Sequence, residues 1–141
     1  MYRLEPLTVG LSVGLGNYMR KVAFVLFDDP RSLTDSIRAA HALHYAVSMK
    51  RKGIEAVVYL EGPSTAIPVA AEQSPYPGLK DALREALAEG VILGACGYCA
   101  SPGHVGVKDE LIRRGLRLIG DLSHHEDLSF LLEQGYEVIV M

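Results

Sequence analysis

Four glycines constrain this chain more than any other feature. Gly53, Gly90, Gly115 and Gly135 each close a stretch of helical character, and each is followed at once by a run of strand-forming residues. A chain that alternates in this way folds as βαβ units, with parallel strands and right-handed crossovers. The cadence predicts one α/β domain with a mainly parallel five-stranded sheet. Its strands are Lys21–Phe27, Ile54–Leu60, Val91–Ala95, Leu116–Gly120 and Tyr136–Met141. The first is almost continuously apolar, as befits a strand covered on both faces.

The helices follow from their caps and periods. Ser32, Thr34 and Asp35 offer N-caps to a helix whose Ile37, Ala40, His44 and Val47 recur at helical spacing. Residues 62–77, rich in proline and small polar side chains, read as a loop. A second helix presents Leu79, Leu83, Ala86 and Leu87, and a third spans Val107 to Arg114. Ser123 with Glu126 makes a capping box for a last helix carrying His124 and His125 in its first turn and Leu128, Leu131 and Leu132 beyond.

Residues 20–141 thus form the domain. Before them, Leu7, Val9, Leu11, Val13 and Leu15 alternate with small residues, a period-two pattern. Residues 1–19 read as an edge strand, as an arm on a neighbouring subunit, or as an upstream extension with Met19 as the natural start.

Composition narrows the function classes. A formal charge of -3, without a basic stripe, argues against nucleic acid. No apolar run is long enough to span a bilayer. Only two cysteines occur among the 141 residues, which points to a reducing compartment, the cytoplasm, and to a chemical use for the pair. Gly14-Leu15-Gly16 precedes the first strand instead of linking it to a helix, so it fails as a dinucleotide fingerprint, and no cofactor is expected.

The strand ends converge on Asp28, Asp29 and Pro30, on Glu61 to Thr65, on Cys96 to His104, and on Asp121 to His125. Cys96-Gly97-Tyr98-Cys99 carries the sharpest signal. Two thiols at this spacing can close a disulfide, pass sulfur between them or clamp a soft metal. A zinc site would recruit Cys96, Cys99, His104 and one of His124 or His125. A thioredoxin-type reading fits poorly, because here the pair follows the third strand. Asp28 and Asp29 read first as a strand-end turn with capping acids. His124 and His125 read as solvated or capping residues, and His41 and His44 as packing or interface residues.

The first strand, the Glu89-Gly90-Val91-Ile92 approach to Ala95-Cys96-Gly97-Tyr98-Cys99-Ala100, the downstream Arg114-Gly115-Leu116 and the terminal Val138-Ile139-Val140 together resemble the DsrE/DsrF-like family over about residues 20 to 141. The resemblance implies a flavodoxin-like three-layer α/β/α fold and assembly into a homotrimer or homohexamer. It also implies a cysteine, Cys96 or Cys99, that takes sulfur from a donor protein as a persulfide and passes it to an acceptor protein. Gly97 and Tyr98 would support the sulfur anion and His104 would tune its charge. Ser101-Pro102-Gly103-His104 departs from the Ala-rich helix and early Arg-Gly pair of many relay members. A non-catalytic oligomeric module that binds a small ligand or a protein at the strand ends is the competing expectation.

Overall fold

A computed structural model describes residues 20–141; the edge strand, arm or extension expected over 1–19, with Met19, lies outside the described residues. The elements are β1 Lys21–Leu26, α1 Leu33–Arg51, β2 Glu55–Leu60, α2 Ile67–Ala70, α3 Gly78–Glu89, β3 Ile92–Cys96, α4 Gly97–Ala100, α5 Lys108–Arg113, β4 Leu118–Ile119, α6 Ser129–Glu133 and β5 Glu137–Val140. The five strands are all parallel, in the order β4-β3-β2-β1-β5. This is a flavodoxin-like three-layer α/β/α fold.

The strand order follows from crossover handedness. From β1 to β4 each new strand is added on the same side, so right-handed crossovers put α1, α3 and α5 on one face. The last connection doubles back past β1, which throws α6 onto the other face. The two cores record this. Val22, Phe24, Leu26, Val58 and Leu60 pack beneath α1, α3 and Leu111 of α5, whereas Ala23, Val25, Tyr59, Cys96 and Cys99 share the opposite face with Leu131 of α6. Alternate residues of each strand face opposite ways, so both faces draw on the same apolar run.

The glycine cadence holds. Gly53, Gly90, Gly115 and Gly135 all have positive φ, between 69° and 87°, where a side chain would be strained, and each strand opens within a few residues of its glycine. Ser32 caps α1, its side chain accepting from the Asp35 amide. The buried face of α1 is rotated from the expected one, being made by Ser36, Ala39, Ala40, Leu43, Ala46 and Val47, and His44 points outward. Small alanines let the helix lie close to the sheet.

Two expectations fail locally. Residues 62–77 are not a plain loop, since a 3-10 turn at Gly62–Ala66, α2 and a second 3-10 turn at Ala71–Gln73 fill most of it. Pro63 and Pro68 stand in the first turns of the first two pieces, where a missing amide hydrogen costs nothing. The last helix does not begin at Ser123. The Ser123 amide and hydroxyl both donate to the Asp121 carboxylate, forming a local turn, and α6 starts only at Ser129. His124 and His125 therefore lie in a loop. Among the described residues no helix is long and apolar enough to cross a membrane.

Candidate functional site

Neighbouring strands β3 and β4 send their outgoing chains to opposite faces, towards α5 and α6 respectively. That divergence opens a crevice at their carboxyl ends, the place where open α/β sheets bind ligands. β3 delivers Cys96 to the crevice, and the single turn of α4 brings Cys99 round beside it; both thiols are free and buried. The Cys99 amide donates to Cys96 Sγ at 3.4 Å. Gly97 lets the exit of β4 lie directly on this turn: the Ile119 and Gly120 carbonyl oxygens approach to 3.4 Å from where a Cβ would stand.

From that exit the chain runs to His125, whose Nδ1 lies 3.5 Å from Cys96 Sγ and 3.4 Å from Cys99 Sγ. The two sulfurs and an imidazole nitrogen all lie within 4.8 Å of one another. This corrects the expectation that His125 is merely solvated or capping. His124 fits that expectation, exposed and paired with Asp121. The residue that sequence reasoning undervalued had one usable signal, its place in the segment 121–125 that follows β4.

Tyr98 acts through its ring. The ring centroid is 4.3 Å from that of His104 and 4.5 Å from that of His125, so the phenol is held between two imidazoles. His104 is oriented from its other side. The Ser101 hydroxyl donates to the Tyr98 carbonyl at 2.6 Å, leaving it only lone pairs to offer His104 Nδ1 at 3.0 Å. That contact makes Nδ1 the donor to the Ser101 oxygen. His104 is not one of the groups gathered around the sulfurs.

Electrostatics hold the resting Cys99 thiol protonated. Burial pushes the Cys99 thiol from 9.0 up to about 12, the Cys96 thiol and Glu61 push the same way, and a hydrogen bond from the Gly62 backbone only partly opposes them. A lowered thiol pKa, expected for a reactive cysteine at a helix start, is therefore absent at Cys99, and a four-residue α4 is too short to supply a useful dipole. Beneath the thiols lies Tyr59, fully buried, with its ring edge-on to Phe130 and its hydroxyl unpartnered. Burial, with Cys96 and Glu61 next in effect, keeps this phenol protonated far above neutrality. Glu61 itself is buried, and burial raises its carboxyl pKa.

Asp28 and Asp29 stand at the end of β1 but are occupied elsewhere. Asp28 accepts from Arg38 Nε at 2.8 Å, and its backbone carbonyl accepts from the Ser64 hydroxyl at 2.7 Å. Burial raises the Asp28 pKa against the pull of Arg38. Asp29 is bound by Arg31. Asp28 ties α1 and the 3-10 turn to the carboxyl end of β1, Asp29 pairs locally with Arg31, and neither has a sulfur as its partner.

Cys99, His104 and His125 line a cavity of about 350 Å³ together with Phe27, Gly62 and Val105. A larger one, about 470 Å³, lies between α3 and the α2 region beside Arg114 and contains no thiol. Of the two, only the smaller cavity is lined by a thiol, that of Cys99.

No family model matches the chain, and no curated protein does. A similar solved structure is a conserved protein of unknown function from Bacteroides thetaiotaomicron, with 21% identity, 86% of this chain and 94% of that chain covered, and a TM-score of 0.54. The likeness shows the fold alone. It supports the parallel α/β/α architecture and carries no activity to the cysteines.

Proposed function

We propose that this chain is a sulfur carrier, in which Cys99 takes a sulfane sulfur as a persulfide and Cys96 resolves it. The observation behind this reading is the meeting of two thiols and the His125 imidazole at the mouth of an open cavity. Cys99 lines that cavity and Cys96 does not, which supports Cys99 as the acceptor.

His125 supplies what burial withholds. Its Nδ1 takes the Cys99 proton, and the resulting imidazolium stabilises the thiolate. The thiolate attacks the outer sulfur of a donor persulfide; the donor's S–S bond breaks, a new S–S bond forms on Cys99, and the donor leaves as its thiolate. Two exits balance. An acceptor thiolate can attack the outer sulfur and carry it away, restoring the Cys99 thiolate. Alternatively the Cys96 thiolate attacks the inner sulfur, closing a Cys96–Cys99 disulfide and releasing hydrosulfide, and a dithiol reductant then reopens the bond. Tyr59, a buried donor without an acceptor, is placed to support the negative charge on Cys96.

Donor and acceptor proteins, assembly into a trimer or hexamer and a reducing cytoplasmic setting belong to the same proposal. Exposed Leu132, Ile139 and Val140, on α6 and the β5 edge, support assembly by offering apolar area to a second copy. The test is to load the reduced protein with a small persulfide donor, remove the excess and add cyanide. Stoichiometric thiocyanate from Cys96→Ser, in which nothing resolves the persulfide, and none from Cys99→Ser would support the carrier; no thiocyanate from Cys96→Ser would end it.

A further inference from the structure

The His125 nitrogen faces two sulfurs at once, at 3.5 Å and 3.4 Å. A single Nδ1 carries at most one proton, so a hydrogen bond can satisfy only one sulfur well. A shared ion satisfies both. With Zn–S near 2.3 Å and Zn–N near 2.0 Å, tetrahedral geometry places sulfur and nitrogen about 3.6 Å apart, and both observed separations fall within about 0.2 Å of it.

We infer that Cys96, Cys99 and His125 form a binding site for a thiophilic tetrahedral cation, zinc above all, with its fourth position open to the cavity. The donor set is the Cys₂His combination that zinc uses where it keeps an exchangeable site. The ligands come from two stretches that the fold itself brings together, the β3–α4 junction and the loop after β4, so the site is assembled by folding. Phe27, Gly62, His104 and Val105 surround the remaining approach, which admits a water, a thiolate or hydrosulfide. His104, the third ligand favoured by loop spacing alone, stays outside.

The inference stands on geometry and is independent of the sulfur-carrier reading. The two uses draw on the same sulfurs and exclude one another, so a zinc-loaded chain accepts no sulfane sulfur until the ion is removed.

Titration of the reduced, metal-free full chain with Co²⁺ reads the ligand set directly. The expected result is saturation at one ion per chain, with a thiolate-to-cobalt charge-transfer band and the intense visible bands of tetrahedral cobalt, both displaced by Zn²⁺. His125→Ala, a change at an exposed loop residue, should weaken zinc binding by more than the roughly 10- to 100-fold that loss of an outer-shell partner costs, while the far-ultraviolet circular dichroism stays native. Absence of tetrahedral bands in the native chain, or unchanged affinity in a folded His125→Ala, would overturn the site. Persulfide loading is measured separately, so failure of the metal site and failure of the carrier are distinct outcomes.

Discussion

His125 Nδ1 and Cys99 Sγ stand 3.4 Å apart although 26 positions separate them in the chain. The contact depends on β3 and β4 being neighbours whose exits diverge, and it gives a buried thiol its only imidazole among the described residues. The chemistry proposed for this chain runs through that pair.

Removing the imidazole should therefore slow Cys99 without unfolding the protein. His125→Ala is expected to lower the rate of persulfide formation near neutral pH by about 100-fold, the lower end of what a positioned general base contributes. Quenched-flow mass spectrometry measures the rate. The variant should recover as alkali replaces the missing base, and a rate equal to the native one at neutral pH would remove His125 from the mechanism.

The Cys99 thiol also links stability to pH. Its folded-state pKa of about 12 lies above the reference 9.0, so the folded chain holds this proton more tightly than the unfolded one. The corresponding stabilisation is present below 9.0 and is lost as pH rises towards about 12. Urea unfolding across that window should show a steeper alkaline loss for the native chain than for Cys99→Ala. Parallel curves would mean that Cys99 titrates normally.

Glu61 is an acid at odds with its surroundings. Burial raises its pKa above 4.5, so its protonated form is the one the fold prefers, and the stabilisation present in acid is lost as pH rises through the folded value. Glu61→Gln should raise the melting temperature at neutral pH by roughly 3–5 °C, and the gain should shrink in acid. The same change removes a negative charge that opposes Cys99 ionisation, so alkylation of Cys99 should quicken. A gain that is equal at both pH values would refute the charge explanation.

Gly94 cannot accept a side chain. A Cβ there would stand 2.6 Å from the Arg117 carbonyl oxygen and 3.1 Å from the Ile119 side chain, and that backbone oxygen accepts the Ala95 amide that ties β3 to the approach to β4. Gly94→Ala should cost about 2–3 kcal/mol by overpacking, read from urea unfolding, and should slow Cys99 by moving His125 away from it. Native stability in this variant would show that the two strands are not in the described register.

What could be read from the sequence was the part governed by local rules. Gly53, Gly90, Gly115 and Gly135 have the positive φ that their helix-ending positions demand, and the apolar runs after them are strands. The Cys96–Cys99 turn was visible because no other cysteine exists in the chain. The capping box at Ser123 misled because Asp121 competes for the same amide and hydroxyl. Pro63 and Pro68 suit a loop and a first helical turn alike, so composition does not separate the two. Tyr59 and His125 carried no local pattern. The first emerges only from sheet alternation, which sets it opposite Gly94 and on the face of Cys96; the second emerges only from strand order.

Peptide mapping of the native chain after exposure to a persulfide donor tests the central claim most directly. Alkylated under non-reducing conditions, the Cys99 peptide should carry one additional sulfur atom, about 32 Da, while Cys96 carries none, and Cys96→Ser should retain the adduct longer because nothing resolves it. A native chain that shows neither added sulfur on Cys99 nor a Cys96–Cys99 disulfide, together with a Cys96→Ser chain that gains no sulfur, with the fold intact and metal removed, would contradict the account.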